Sequence, residues 1–279
     1  MSSPQDLAPP SARPATHRLS LRAVSPLLIV GRTLNRWALV LALFALWETG
    51  VRAGWIQGNL FPAPSTIFRS IFEMAIAGSL QVDIWTSISR VFVGVTIATV
   101  LGIALGSLLA RIERAAFYFM PLIELLRPIS VIAWIPVAIM WFGLGDASSW
   151  FIIALGAFFP IFTSTFLGMN LVPRVYLQAA QTMGLGRWLV FSHVLWPSAL
   201  PNVLSGIRVG LGVGWMCVIA AEMISSASGL GYMIQTARIM IETEQVFAGM
   251  IVIGVVGFLM NYLMVLLERK LTHWTQPAR

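Results

Sequence analysis

Leu177-Gln-Ala-Ala-Gln-Thr-Met-Gly-Leu-Gly-Arg-Trp-Leu-Val-Phe-Ser-His-Val-Leu-Trp-Pro197 is an amphipathic stretch set between two apolar runs, each long enough to cross a membrane. Its spacing predicts a helix over 177–183, a break at Gly184 and Gly186, and a second helix ended by Pro197. Glycine supplies the left-handed turn that stops a helix, and proline within a helix forfeits a hydrogen bond. Two short helices held outside the lipid suit a groove in a partner, as amphipathic helices do. An ordinary connecting loop is the plainer reading of the same residues.

The surroundings of that stretch are those of an integral membrane protein. The chain has 279 residues, 58% hydrophobic and 10% charged, whereas soluble domains carry roughly a quarter charged residues. The net charge of +7 is not gathered into one basic stripe with interleaved aromatics. The arginines lie beside apolar segments, which argues for topology signalling over nucleic-acid binding. The single cysteine, Cys217, lies in an apolar run, and His17, His193 and His273 are far apart, so neither a disulfide framework nor a metal centre is expected.

A membrane helix needs about 20 mainly apolar residues, and six candidates emerge at 37–54, 85–110, 117–142, 150–172, 200–224 and 246–267. Residues 1–35 are expected to form a largely disordered tail, since their Pro, Ser, Ala and Arg content leaves too little to bury. No small-residue cleavage pattern follows the first apolar run, so a signal peptide is not expected. The third span contains Pro121, Pro128 and Pro136 and is expected to be broken, its freed backbone groups satisfied by neighbouring helices or a cavity.

Arginine placement orients the spans. With the tail inside, Arg111, Arg114, Arg174, Arg187, Arg269 and Lys270 are all cytoplasmic, and Arg52, Arg69 and Arg238 remain outside. Both termini and the 173–198 loop are therefore expected in the cytoplasm. Small residues recur every four positions, at Gly94, Ala98, Gly102 and Gly106 and again at Gly206, Gly210 and Gly214. Such stripes let helix backbones approach closely in lipid; packing within one chain is the first expectation, contact with a second copy the other.

Charges at membrane depth are costly and face a cavity or a partner. Glu48, Arg90, Glu124, Arg127, Arg208 and Glu222 are the candidates. Glu124 and Arg127 are spaced to pair across one helical turn. Arg208 and Glu222 lie about 21 Å apart along one helix and cannot pair with each other. A cation facing a pathway suits an anionic substrate, and a structural partner on another helix explains it equally well. Arg127, Trp134, Arg208, Trp215 and Glu222 are taken as pathway candidates, with ordinary packing as the alternative for both tryptophans.

Gln178-Ala179-Ala180, then Gly184 after three residues, then Val194-Leu195-Trp196-Pro197 after nine more, resembles the EAA loop of ABC-importer permeases. Gln178 stands for that pattern's Glu, Val194 for its Ile and Trp196 for its Leu. Arg127-Pro128, Ala133-Trp134-Ile135-Pro136 and Trp141-Phe142-Gly143-Leu144-Gly145 are similar to the taurine, aliphatic-sulfonate and nitrate group of these permeases. So are Ser205-Gly206-Ile207-Arg208, Gly210-Leu211-Gly212-Val213-Gly214-Trp215, Ala220-Ala221-Glu222-Met223 and Ser228-Gly229-Leu230-Gly231-Tyr232. Phe61-Pro62-Ala63-Pro64-Ser65 is similar to the proline motif after that group's first helix. The resemblance spans about 36–275.

That resemblance implies an all-α membrane protein with six transmembrane helices, the type I ABC-importer permease fold, over residues 36–275. It gives Gln178, Ala179, Ala180, Gly184, Arg187 and Pro197 an ATPase-coupling role; with Gln178 in place of Glu, the docking side chain stays polar but loses its charge. Implied partners are a second permease chain, two ATP-binding subunits that hold ATP and Mg, and an external substrate-binding protein, in a bacterial inner membrane. No Gly-x-x-x-x-Gly-Lys-Ser/Thr phosphate loop is present, so the chain is expected to be a pore subunit without enzymatic activity or cofactor of its own. Taurine or another sulfonate is the first expected cargo, nitrate the second, then bicarbonate or aromatic carboxylates. A secondary anion carrier is the distant alternative, since no two-fold internal repeat is evident.

Overall fold

The computed structural model of the protein describes residues 26–55 and 57–272, with side chains from residue 38 onward. The helices are α1 (Pro26–Arg52), α2 (Pro64–Ala77), α3 (Ser79–Arg111), α4 (Glu113–Leu126), α5 (Ile135–Phe142), α6 (Asp146–Asn170), α7 (Arg174–Thr182), α8 (Arg187–Val190), α9 (Trp196–Ser225), α10 (Leu230–Ile239) and α11 (Thr243–Leu271). Residues up to 49 form one unit and residues from 50 a second. Of the expected tail, residues 1–25 lie outside the described residues, while 26–35 are helical as the start of α1.

Four helices are long and apolar enough to cross a membrane among the described residues: α3, the continuous run Arg187–Ser225, α6 and α11. They cover the expected second, fifth, fourth and sixth spans. The third is split. Helix α4 and the segment Val131–Phe142 pass the same test only together, and they meet at an angle of 91°. The break falls at 127–130: Arg127 is still helical at φ −57, ψ −42, Pro128 has no N–H to carry the ladder on, and Ser130 turns extended at φ −58, ψ 129. Pro121 sits inside α4 without ending it, and Pro136 opens α5. The first expected span, 37–54, falls mostly within α1.

Helix α6 is the axis of the second unit. Helix α3 runs parallel to it and α9 antiparallel, and both lay their small-residue stripes against it. A Cβ at Gly94 would lie 2.6 Å from Ile153, and one at Gly102 would lie 2.9 Å from Ile161. From the other side, a Cβ at Gly206 would lie 2.5 Å from Ser164 and one at Gly210 2.8 Å from Ile161. Both stripes therefore serve packing within the chain. Lipid is as apolar as a leucine side chain, so what holds these helices together is the dispersion gained by close approach. Ile153, Ala157 and Ile161 are fully buried there with Val91, Ala98 and Val218. Helix α11 packs on the far side of α9, where the Trp215 ring rests on Gly257 and its indole N–H donates to the Ile253 carbonyl at 3.2 Å.

Pro197 does not end a helix. Helix α8 passes through a π-helical turn, Phe191–Leu195, directly into α9. The Trp196 amide reaches back five residues to the Phe191 carbonyl. That widened turn makes room for a proline that lacks an N–H and would otherwise clash with the carbonyl four residues earlier. The second short helix expected from the sequence is thus the start of the continuous run Arg187–Ser225.

Candidate functional site

The loop between α6 and α9 owes its shape to one residue. Helix α7 ends in a Schellman cap, with the Leu185 amide donating to the Ala180 carbonyl at 3.1 Å and the Gly184 amide to Gln181 at 2.9 Å. Gly184 sits at φ +72, the left-handed conformation that costs other residues steric energy. The cap turns the chain so that α8 leaves at Gly186. Gln178, Ala179, Gly184 and Arg187 are exposed, whereas Ala180 is buried and Pro197 partly so. The exposed face is apolar as well as polar: Val175, Tyr176, Met183 and Trp188 all lie open, Trp188 at 74%. These four carried no motif, and an amphipathic reading of 174–188 alone could have flagged them. Trp188 stacks on Phe191 at 5.7 Å, and the Arg111 guanidinium lies 4.2 Å over the Phe191 ring. His193 bonds with Ser192 at 2.8 Å; His17 and His273 lie outside the described residues.

The pathway candidates do not come together. Glu222, near the end of α9, is 0% exposed. Its carboxylate accepts from the Ser87 hydroxyl at 2.8 Å, Arg90 Nη1 at 2.9 Å and the Gly231 amide at 2.9 Å. It is therefore a structural anion inside the chain, offering no surface to a solute. Arg90, buried on α3, also donates Nε to Asp146 at 2.7 Å, and it reaches the Ser228 carbonyl at 2.6 Å and the Ser228 hydroxyl at 3.0 Å. The knot extends through the Leu230 amide to Ser87 at 3.0 Å and the Gly229 amide to Asp83 at 2.9 Å. Gly229, at φ +103, lies so close that a Cβ there would strike the Glu222 carboxylate. The Gly145 amide, just before α6, donates to the Ser225 carbonyl at 2.8 Å. One charged knot thus ties α3, the start of α6, the end of α9 and the start of α10.

The other candidates divide. Trp215 is a packing residue between α9 and α11, as described above. Arg208 pairs with Glu268 of α11 at 3.1 Å, with side chains 41% and 21% exposed, so it has a structural partner while keeping access to its surroundings. Trp134 is half-buried against the Ile135, Ala138 and Ile152 cluster. Arg127 and Glu124 are both exposed, and among the described residues no ion pair joins them. Arg127 keeps helical geometry, with its amide bonded to the Ile123 carbonyl at 3.0 Å, so the one-turn spacing is present and the two exposed side chains still do not pair. Asp146 and Ser87, which help give Arg90 and Glu222 their role, have nothing in their local pattern to mark them, and the motif that Ser228 opens gives no hint of its contact with Arg90.

Residues 98–273 match the family described as the binding-protein-dependent transport system inner membrane component. The taurine transport system permease protein TauC of Escherichia coli is 33% identical over 83% of this chain and 86% of its own length. A Bacillus subtilis permease provisionally named for aliphatic sulfonates transport, SsuC, is 37% identical over 83% of this chain and 84% of its own. The nitrate import permease protein NrtB of Synechocystis is 29% identical over 76% and 80%. Among solved structures, an inward-facing form of the MetNI methionine ABC transporter superposes with a TM-score of 0.62 at 19% identity, over 71% of this chain and 98% of that one, which speaks to fold. A broken third span, a projecting loop ahead of the fifth, and this agreement in sequence and fold place the chain in the family of binding-protein-dependent transport system inner membrane components, as a multi-pass permease of the ABC-importer type.

Proposed function

We propose that this chain is the pore-forming subunit of an ATP-driven importer for a small sulfonate, with taurine as first choice, working as a pair of copies with two ATP-binding subunits and an external binding protein. The observation that carries the reading is the exposed α7–Gly184–α8 loop, which continues without a linker into α9. Its face of Gln178, Met183, Gly184, Arg187 and Trp188 is the proposed ATPase-docking surface, with Ala180 and Pro197 shaping it from within. Closure of the ATPase pair around ATP pushes on α7 and α8. Because Arg187–Ser225 is one helical run, that push is delivered along α9, past Arg208 to the Arg90–Glu222 knot at its far end. ATP and Mg are held by the partner subunits. Both termini and the loop face the cytoplasm in this reading, supported by the arginine distribution.

Sulfonate comes before nitrate because the permeases of taurine and sulfonate transport, TauC and SsuC, are more similar to this chain than NrtB is; nitrate is the second reading on the same ground. Arg208, partly exposed on α9, is the proposed anion-facing group of the pathway. The test is a ligand-stabilisation screen on the cognate binding protein with taurine, other sulfonates, nitrate and bicarbonate. A ligand that binds the native state alone raises its melting temperature, by about 2.7 kcal/mol of stabilisation at a hundred times Kd. Stabilisation by a sulfonate is the expected result. Stabilisation by nitrate or bicarbonate alone overturns the cargo, and absence of any co-purifying ATPase overturns the machine.

A further inference from the structure

The end of α3 and the α7–α8 loop enclose a groove of about 640 Å³, of whose lining the transport reading uses Arg187 alone. Arg111, Arg187 and Gln181 border it, and Leu108, Ile112, Leu185 and Val190 form its walls. Arg111 is the last residue of α3, so the groove sits at one end of an apolar helix long enough to cross a membrane.

The charges in this groove are unmatched. Arg69, Arg90 and Arg208 each have a carboxylate within 3.1 Å. Among the described residues, Arg111 and Arg187 pair with none, and neither does Arg114. Glu113, the nearest acid in sequence, forms no ion pair with any of them. Phe191 lies under the Arg111 guanidinium, which holds that cation without neutralising it. Two cations above an apolar wall at the edge of the membrane match one chemistry, an anionic headgroup that carries acyl chains. Basic pockets between helices at a membrane surface take phosphate headgroups in this way. A free anion would satisfy the arginines and leave the Leu108, Ile112, Leu185 and Val190 wall without an apolar partner.

We propose that this groove binds one anionic phospholipid, its phosphate between Arg111 and Arg187 and the upper part of its acyl chains against Leu108 and Ile112. A lipid held there bridges α3 and the loop and fixes the loop's seat on the membrane surface. The site is independent of which solute the permease carries.

The test uses the purified full chain in detergent, with retained lipid counted by native mass spectrometry after adding phosphatidylglycerol or phosphatidylcholine with the same acyl chains. The wild-type chain is expected to hold phosphatidylglycerol in preference. R111Q and R187Q should each weaken that binding roughly fivefold, the factor one cation contributes near an anionic leaflet. R111K should retain it, which separates loss of charge from loss of fold. R114Q, which alters a cation beside the groove, should bind as the wild type does. Equal retention of phosphatidylcholine, or wild-type binding by both R111Q and R187Q, overturns the proposal. Complete displacement by a hundredfold excess of inorganic phosphate also overturns it, by marking the groove as a free-anion site.

Discussion

Glu222→Ala removes the acceptor of three donors at once: the Ser87 hydroxyl, Arg90 Nη1 and the Gly231 amide. Each buried polar group left without a partner costs about 1–3 kcal/mol. The Arg90 charge is not stranded, because Asp146 still accepts from Nε at 2.7 Å and Ser228 from Nη1 at 2.6 Å. The loss therefore comes from the Ser87 hydroxyl and the Gly231 amide, about 2–6 kcal/mol for the two buried donors together. Asp146→Asn bears on the same guanidinium but at a side chain 56% exposed, where water takes up the slack, so about 1 kcal/mol or less is expected. The assay is reversible unfolding in mixed micelles of mild detergent and dodecyl sulfate, followed by circular dichroism. A Glu222→Ala chain within about 1 kcal/mol of wild type, or an Asp146→Asn chain as impaired as Glu222→Ala, would refute the reasoning.

Gly184→Val forces a β-branched residue to φ +72 at a cost of about 1–2 kcal/mol; co-purification of the ATPase subunit should fall several-fold while membrane insertion is kept, and unchanged co-purification counts against the docking role. Gly206→Val places a Cβ 2.5 Å from Ser164 and 3.2 Å from the Pro160 carbonyl, so α9 must move off α6; a loss of about 1–3 kcal/mol or more is expected in the micelle assay. Ile241, exposed between α10 and α11, is a β-branched residue at φ 61. Ile241→Gly relieves about 1–2 kcal/mol of steric cost against roughly 0.5–1 kcal/mol of added chain entropy, and the melting temperature should rise. Arg208→Gln breaks a partly exposed pair with Glu268 and should shift stability by no more than about 1 kcal/mol, while uptake of every anion tried falls; normal uptake by a stable variant would make Arg208 purely structural.

Much of this architecture is readable along the chain, because its causes are local. Hydropathy marks α3, α6, α9 and α11, since a helix in lipid must be apolar along its own length. Gly184 marks the turn after α7, since the cap needs one left-handed residue. Pro128 marks the break in the third span, because a proline has no N–H with which to continue the helix. The small-residue stripes announce close approach, though not that α6 receives both of them.

What the tertiary structure alone decided is which groups meet. Glu222 carries no sign that its cation is Arg90, 132 positions away, or that Ser87 and Gly231 complete its shell. Pro197 reads as a helix end until the π turn before it shows how the missing N–H is accommodated. Glu124 and Arg127 read as a pair from their spacing, and Arg127 does stay helical, yet both side chains are exposed and, among the described residues, no ion pair joins them. Periodicity and turn chemistry act over a few residues and so are written in order along the chain. Partnerships between helices depend on register and facing, which exist only once α3, α6 and α9 have packed.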